Sequence, residues 1–193
     1  MTAPAQAAPD AVADSVRAAT LALCKRVPPV PVDVAAIAAA AGVAEDEVTA
    51  RWPSAELVVL DAVKAEVAPA LVFPDTGDFA ADLRAQLTAI AGVFADPAIG
   101  PRLVMLAAAA SRDPLLSRVF QQRVFTPNRM LSTRRFAAAV EAGQLRADLD
   151  LDTAVDLAFG PLWFRLLLGT APVTGEYAAA VADLVLAGLR PNG

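Results

Sequence analysis

The charged side chains are the groups most able to do chemistry in this 193-residue chain, because it contains no histidine. The lack of histidine excludes Ser-His and Cys-His nucleophiles and every His-ligated metal site. Cys24 is the only cysteine, so no intrachain disulfide can form. No glycine-rich phosphate loop occurs, and no carboxylate pair has a spacing that singles it out for acid–base catalysis. We therefore expect no enzymatic activity, no metal and no cofactor.

One stretch carries polar residues at a spacing suited to nucleic-acid recognition. Residues 33–57 read DVAAIAAAAGVAEDEVTARWPSAEL. Carboxylates accept hydrogen bonds from cytosine amino groups, hydroxyls bond to phosphates or bases, and an arginine attracts phosphates. The residues of this stretch that we expect to face DNA are Asp33, Glu45, Asp46, Thr49, Ala50, Arg51 and Ser54.

Two short helices are expected to position these side chains. In the first helix, Val34, Ile37 and Ala41 share one face. Asp33 can cap its start, because a carboxylate there accepts backbone N–H groups. Gly42 ends it, since the residue after a helix often needs a positive φ.

The second helix is predicted from about Ala44 to Arg51. Val48 and Trp52 lie four residues apart and are expected to face inward. Pro53 stops this helix, and Ser54 can cap the next one. A helix, a glycine turn and a second helix form a helix-turn-helix, whose second helix can enter a DNA major groove.

This arrangement, with a helix before it and a long helical body after it, resembles the DNA-binding head of the TetR (tetracycline-repressor-like) family. The matching residues are Ile37, Ala38, Gly42, Val43, Trp52, Ser54, Glu56 and Leu57. The resemblance implies a regulator, most often a repressor, that binds operator DNA as a homodimer and releases it when a small molecule binds. The family usually has a small hydroxyl, a tyrosine, a polar donor and a lysine at four positions, held here by Ala44, Thr49, Ala50 and Ala55.

The charge distribution weakens the expected attraction to DNA. Residues 1–68 hold 5 basic and 9 acidic residues, a net charge of −4, whereas residues 69–193 hold 11 and 12, a net charge of −1. Most nucleic-acid binders show the opposite sign, since neutralised phosphates supply much of their affinity. Glu45, Asp46 and Glu47 suit the N-terminus of a helix dipole but repel phosphates. We therefore expect weak or selective binding to operator double-stranded DNA, or none.

The composition indicates an all-α fold. The hydrophobic fraction is 56%, much of it alanine, and no strand-like alternation occurs. We expect a disordered tail over residues 1–9, a three-helix DNA-binding head over residues 10–68, and a helical effector-binding and dimerisation bundle over residues 69–193. The longest interior run without charge, residues 85–95, is shorter than the roughly 20 residues of a membrane span. No basic residue precedes Arg17, so a secretory signal is not expected and the protein is predicted to be cytoplasmic.

The body is predicted to contain a series of helices. Pro127 should kink the longest helix near Val124 or divide it in two. The connector at residues 69–78, with two prolines and a glycine, marks the expected seam between head and body. The predicted body helices are Phe79–Ala95, Ile99–Arg112, Pro114–Gly143, Thr153–Leu168 and Glu176–Leu189.

A cavity between these helices would suit an apolar small-molecule effector. The residues expected to line it are Phe94, Arg102, Met105, Phe120, Phe125, Met130, Phe159 and Trp163. For any single one of these large side chains, filling the core is favoured over contact with a ligand. Arg102 and Arg165 are either polar anchors for a ligand or partners of Asp156 or another carboxylate.

Six arginines lie between residues 112 and 135 with Asp113 as the only acid. They indicate either a solvated helix face that balances acids of neighbouring helices, or a site for an anionic ligand or acidic partner. These arginines are Arg112, Arg118, Arg123, Arg129, Arg134 and Arg135.

The last two helices carry more apolar surface than one shielded face requires. We expect them to pair with the same helices of a second copy in a two-fold, four-helix interface. The residues predicted for this interface are Leu162, Leu166, Val181, Leu184, Val185 and Gly188. The leading hypothesis is a ligand-responsive regulator. The alternative is a TetR-like dimer with lost or atypical DNA binding that acts through small-molecule or protein binding.

Overall fold

The computed structural model describes residues 10–26 and 32–191, and all regular secondary structure in these ranges is helical. The predicted all-α fold is confirmed. The expected disordered tail and the connector at residues 27–31 lie outside the described residues. The helices are α1 (Ala11–Cys24), α2 (Val34–Ala41), α3 (Glu45–Thr49), α4 (Ala55–Val67), α5 (Phe79–Ala95), α6 (Gly100–Ala110), α7 (Pro114–Phe120), α8 (Thr126–Glu141), α9 (Leu151–Leu168) and α10 (Gly175–Leu189).

The described residues pack as two compact units, one up to Val63 and the other from Lys64 onward. The division lies within α4, five residues before the boundary predicted after residue 68. In the N-terminal unit α1 packs on α2, and α2 on α3. Val16, Ile37 and Val48 are fully buried there, so apolar burial fixes the mutual positions of these short helices.

In the C-terminal unit α5 packs most extensively against α10, and it also contacts α6 and α9. Phe79, Leu83 and Leu87 of α5 are almost completely buried. The Phe79 ring packs edge-on against that of Phe136, with centroids 4.8 Å apart. The predicted helix at residues 79–95 has the observed bounds, because Asp78 caps its start and Asp96-Pro97 prevents its continuation.

A single π-helical turn, Gln121–Phe125, joins α7 to α8. The Thr126 N–H donates to the Gln121 carbonyl, five residues back, as this geometry requires. Pro127 therefore lies in the first turn of α8, where a missing N–H costs little. The Asn128 side chain donates to the Val124 carbonyl at 2.8 Å. The sequence predicted a kink near Val124 or two abutting helices, and the stretch is indeed divided into α7 and α8, which meet at the π-helical turn that contains Val124.

The connector before α5 is fastened to its own unit by a buried carboxylate. Asp82 is 1% exposed and accepts hydrogen bonds from the Thr76 hydroxyl at 2.7 Å and the Thr76 N–H at 3.0 Å. Arg135 donates to Asp82 at 3.0 Å and to the Pro74 carbonyl at 3.0 Å. Burial raises the pKa of Asp82, but the Thr76 bonds and the Arg135 charge outweigh it, so the pKa lies below its usual value.

Gln144 makes a second attachment to the same connector. Its amide donates to the Gly77 carbonyl at 2.9 Å and accepts from the Phe79 N–H at 2.8 Å. The connector was expected to be a seam because of its prolines and glycine. It is instead held on both sides by side-chain hydrogen bonds.

Within residues 10–26 and 32–191, no single helix is long and apolar enough to cross a membrane. Helices α5 and α6 meet that length and composition only when taken together, and their axes are bent by 85°.

Candidate nucleic-acid interface and effector groove

The turn between α2 and α3 is built as the sequence predicts. Asp33 accepts a hydrogen bond from the Ala36 N–H at 2.7 Å and so caps α2. Gly42 has φ +70°, a conformation that favours glycine. Ala44 precedes α3, and its N–H donates to the Glu47 carboxylate at 3.2 Å. Glu47 thus stabilises the start of α3, which the alanine side chain cannot do.

Helix α3 presents its acidic face to solvent. Val48 is fully buried and Trp52 is 6% exposed, whereas Glu45, Asp46, Thr49 and Ala50 are exposed. The predicted orientation is confirmed. The regular helix ends at Thr49, two residues before the predicted end, because the Arg51 N–H tightens onto the Val48 carbonyl at 3.0 Å before Pro53.

Several of the candidate DNA-facing groups also bond locally. The Thr49 hydroxyl donates to the Asp46 carbonyl at 3.3 Å, and the Ser54 hydroxyl accepts from the Leu57 N–H at 3.4 Å. Asp33 and Ser54 therefore have capping roles that need no DNA. Their contacts with DNA stay a prediction.

Arg51, the only cation expected on the recognition helix, is held by its own unit. Its Nε lies 3.1 Å from Asp10 Oδ2, and its Nη1 donates to the Glu47 carbonyl at 3.0 Å. Hydrogen bonding from Arg51 lowers the pKa of Asp10. Arg17 is paired as well, with Asp14 and Asp61, both at 2.9 Å. Two of the four cationic side chains in residues 1–63 are thus neutralised by carboxylates of the same unit.

In the C-terminal unit, four of the predicted pocket residues form a continuous aromatic chain. The centroid distances are 4.7 Å from Phe94 to Trp163, 5.4 Å from Trp163 to Phe125 and 5.3 Å from Phe125 to Phe120. Phe94 and Phe120 are buried, and Phe125 is 37% exposed. The aromatic chain therefore has buried ends and reaches the surface only at Phe125, in the π-helical turn.

The other predicted pocket residues are more scattered. Arg102 is 3% exposed, and its Nη1 lies 3.7 Å from the sulfur of Met105. Met105 and Met130 are 50% and 52% exposed, so about half of each side chain meets solvent instead of lining an enclosed cavity. Phe159 is half-buried on α9.

An open groove of about 530 Å³ lies elsewhere in this unit, among α5, the end of α9 and residues 171–175. Of the eight predicted pocket residues, only Phe94 lines it. Arg165 and Leu166 line it too, although Leu166 was expected at the dimer interface. Its lining combines residues 88–95 with residues 165–175 and consists mostly of small side chains, so no periodic pattern indicates the groove.

The contacts of Arg165 bear on one of the two roles considered for it. Asp156 pairs with Arg129, which also lies 3.2 Å from Asp152. Arg165 donates instead to the Pro172 carbonyl at 3.1 Å, and its guanidinium carbon lies 3.3 Å from the centroid of the Tyr177 ring. Of the two alternatives, a pairing of Arg165 with Asp156 is not observed, and the role of a ligand anchor stays a prediction.

Two of the predicted interface residues require correction. Leu162 is 0% and Val181 7% exposed, because their faces of α9 and α10 pack inside the unit. Leu184 is 76% exposed, Gly188 is exposed, and Leu166 and Val185 are half-buried. Four further side chains on α9, which the sequence did not single out, are exposed: Leu157, Phe164, Leu167 and Leu168.

The six arginines of residues 112–135 divide into two groups. Arg129 and Arg135 pair with aspartates of neighbouring segments, as expected for a face that balances nearby acids. In the described part of the chain, the other four are exposed and form no ion pair; they are Arg112, Arg118, Arg123 and Arg134. No group of three potential metal ligands occurs among the described residues.

A capped helix-turn-helix with an exposed second helix, followed by an all-helical unit, defines a helix-turn-helix transcriptional regulator. A family model for the tetracycline repressor-like C-terminal domain matches residues 73–185. The chain belongs to the TetR family of transcriptional regulators.

Individual relatives agree with this assignment. The crystal structure of the TetR family transcription regulator SCO0332 is similar, with 32% identity, a TM-score of 0.77, and coverage of 92% of this chain and 100% of that chain. The uncharacterized HTH-type transcriptional regulator YdeS of Bacillus subtilis is 29% identical over 155 residues, covering 80% of this chain and 76% of that protein. The fatty acid degradation regulator FadR from Bacillus halodurans shares the fold, with a TM-score of 0.69 at 18% identity, over 96% of this chain and 99% of that chain.

Proposed function

We propose that the chain is a cytoplasmic repressor that binds operator DNA as a homodimer and releases it when a small-molecule effector binds the C-terminal unit. The exposed face of α3, which the buried Val48 and Trp52 hold in place, is the observation that carries this proposal. A helix so presented can enter a major groove, and a dimer would read two half-sites. A ligand that favours one arrangement of the dimer would shift the affinity for DNA.

An apolar stripe on α9 and α10 supports the homodimer. Leu157, Phe164 and Leu168 recur at intervals of seven and four residues, so they lie along one face of α9. Their exposed fractions are 56%, 56% and 63%, and Leu184 on α10 is 76% exposed. Burying a leucine or phenylalanine contributes about 1.5–3 kcal/mol, so a second copy that covers this stripe would gain substantial stability.

Light scattering on two matched variants tests the interface. Leu184→Arg should convert the dimer to a monomer, because it places a charge in a dry contact. Leu115→Arg is the control, because Leu115 is 51% exposed on α7, outside the stripe. A parent protein that is monomeric at micromolar concentration would contradict the proposal, as would a Leu184→Arg dimer as stable as the parent.

Gel shifts with DNA flanking the gene, at low and at physiological salt, test the DNA-binding part. A retarded complex that weakens as salt rises is expected, because phosphate contacts release counterions. The absence of a retarded complex at low salt would contradict the proposal that the chain binds operator DNA.

The second candidate function is a TetR-like dimer with lost or atypical DNA binding that acts through small-molecule or protein binding. Two observations favour it: the bond between Arg51 and Asp10, and the three acids in the first turn of α3. Both reduce phosphate attraction at the helix that should meet DNA. The same gel shifts discriminate, since this candidate predicts no complex at either salt concentration.

A further inference from the structure

We propose that the groove beside Arg165 binds a small organic acid, with the carboxylate on the guanidinium and a hydrocarbon body against the apolar wall. The further statement that this acid is the effector rests on the function proposed above; the binding site itself does not. The acid adds one charged group to the apolar small-molecule effector that the sequence predicts.

The groove has the size and lining of a small-ligand site. Its volume of about 530 Å³ lies within the range of roughly 300–1,000 Å³ typical of such pockets. Phe94, Leu166 and Val173 supply apolar surface, and small residues such as Gly92 and Ala171 leave room between them. A slender hydrocarbon body can therefore lie against this wall and leave water.

Arg165 supplies the single charge. Among the lining residues it is the only one with an ionisable side chain, and no carboxylate in residues 10–26 or 32–191 forms an ion pair with it. Its bond to the Pro172 carbonyl and its contact with the Tyr177 ring fix its position. A guanidinium has five N–H donors, and the described residues engage one of them. The remaining donors suit a carboxylate, which arginine binds through two parallel hydrogen bonds.

The other polar groups of the groove favour one negative charge over two. The Thr174 hydroxyl accepts from the Tyr177 N–H at 3.1 Å and keeps its own O–H free to donate, so Thr174 and Thr88 add two neutral donors to the lining and no second positive charge. One guanidinium balances one carboxylate, whereas a phosphate dianion would leave a charge uncompensated beside apolar groups. The start of α10 at Gly175 adds a weak preference for an anion, partly offset by Glu176 in the same turn.

Isothermal calorimetry on the full chain tests the class of ligand with two probes of nearly the same shape. Hexanoate carries the charge, and hexanamide replaces the carboxylate with a neutral amide. We expect measurable binding of hexanoate and at least about tenfold weaker binding of hexanamide, because a charge-assisted pair is lost.

Two kinds of variant test the location. Arg165→Met keeps the length of the side chain but removes the charge, and should weaken hexanoate binding by about tenfold or more, while Arg165→Lys should restore part of it. Gly92→Leu fills the groove, because a Cβ at Gly92 meets no atom within 4 Å. It should abolish binding and preserve the fold, since glycine within a helix is already unfavourable. Ala89→Leu, on an exposed position of the same helix outside the groove, is the matched control.

The results separate the site from its role. The site is wrong if hexanoate gives no heat of binding up to about 10 mM, if hexanamide binds equally well, or if Gly92→Leu binds like the parent. Gel shifts with added hexanoate then address the role. Bound hexanoate that leaves the DNA complex unchanged would overturn the effector assignment but not the site. A chain that binds no DNA would contradict the proposed function. Calorimetry would still show whether the groove binds hexanoate.

Discussion

Two arginine–aspartate pairs, one in each unit, have nearly the same geometry and different surroundings. Arg51 lies 3.1 Å from Asp10, and Arg135 lies 3.0 Å from Asp82. The side chains of the first pair are 36% and 51% exposed, whereas those of the second are 17% and 2% exposed. An exposed pair contributes little to stability because water and salt screen it, while breaking a buried pair leaves a charge without compensation.

The difference assigns the two pairs opposite roles. The Asp82 pair holds Pro74 and Thr76 of the connector, and Arg135 also pairs with the exposed Asp75 at 3.0 Å. Arg51 is exposed just beyond the end of α3, so under the proposed function we expect a DNA phosphate to replace Asp10 as its partner. Distance alone does not separate a structural ion pair from an exchangeable one; the degree of burial does.

The largest expected effect is that of Asp82→Asn. The neutral amide offers Thr76 one oxygen where the carboxylate offers two, and Arg135 keeps only its exposed partner Asp75, so the free energy of unfolding should fall by about 2–3 kcal/mol. Urea denaturation measures this loss. Asp183→Asn is the control, because its pair with Arg84 is exposed on both sides. If the loss of unfolding free energy is no larger than that of the control, the Asp82 pair contributes as little to stability as the exposed Asp10 pair.

The pH dependence of Asp82 provides a second comparison. A carboxylate whose pKa is lowered by folding stabilises the native state fully above its unfolded pKa of about 3.9, and this contribution disappears as the pH falls through the folded value. The difference in stability between the parent and Asp82→Asn should therefore be constant from pH 5 to 7 and shrink only in stronger acid. A difference that vanishes near pH 6 would rule out this origin.

The next largest effect is expected from replacing the exposed acids of α3. Glu45→Lys combined with Asp46→Gly removes two negative charges and adds one positive charge. If these residues face the groove, affinity for random DNA should rise and its salt dependence should steepen by about one phosphate contact. The helix should lose about 1 kcal/mol of dipole stabilisation. A double variant that melts slightly lower yet binds random DNA no better would show that these acids do not face DNA.

A smaller effect is expected from Arg51→Ala. If a phosphate displaces Asp10, the variant should bind all sequences more weakly, and the salt slope should decrease by about one unit. Arg118→Ala, an exposed and unpaired arginine of the C-terminal unit, controls for the loss of net charge. If Arg51→Ala and Arg118→Ala have equal salt slopes, Arg51 does not make the phosphate contact.

The smallest effect is that of Asp10→Asn, which keeps an oxygen to accept the Ala13 N–H and so preserves the cap of α1. It removes the charge that holds Arg51, so DNA affinity should rise by a few-fold at low salt, as expected for the loss of an exposed pair. Competition gel shifts can resolve this change. A fall in affinity would mean that Asp10 positions Arg51 for DNA instead of withholding it.

The sequence predicted those features that local rules determine. Gly42 adopts the positive φ expected of a helix end, Val48 and Trp52 are buried, and the bounds of α5 are as predicted. Each follows from a cap, a breaker or one apolar face. The face of α9 could not be read in this way, because its apolar residues surround the helix. Leu162 is buried and Phe164 exposed, and only the packing of neighbouring helices makes that distinction.

The candidate sites were less predictable for a related reason. The partner of Arg51, Asp10, lies 41 residues away, and no sequence rule pairs them. The predicted pocket was based on large side chains, which form the aromatic chain. The groove instead lies where most side chains are small. Arg165 was noted as a possible anchor, but the choice between ligand and Asp156 required the position of Arg129.

The chain contains two tryptophans, and each unit holds one of them. Trp52 is enclosed in the core of the N-terminal unit, and Trp163 lies between the rings of Phe94 and Phe125 in the other. Indole emission shifts to longer wavelength when water reaches the ring, so Trp52→Phe and Trp163→Phe turn the same protein into two separate reporters. Melting each variant would show by its own fluorescence whether the units unfold together or in succession.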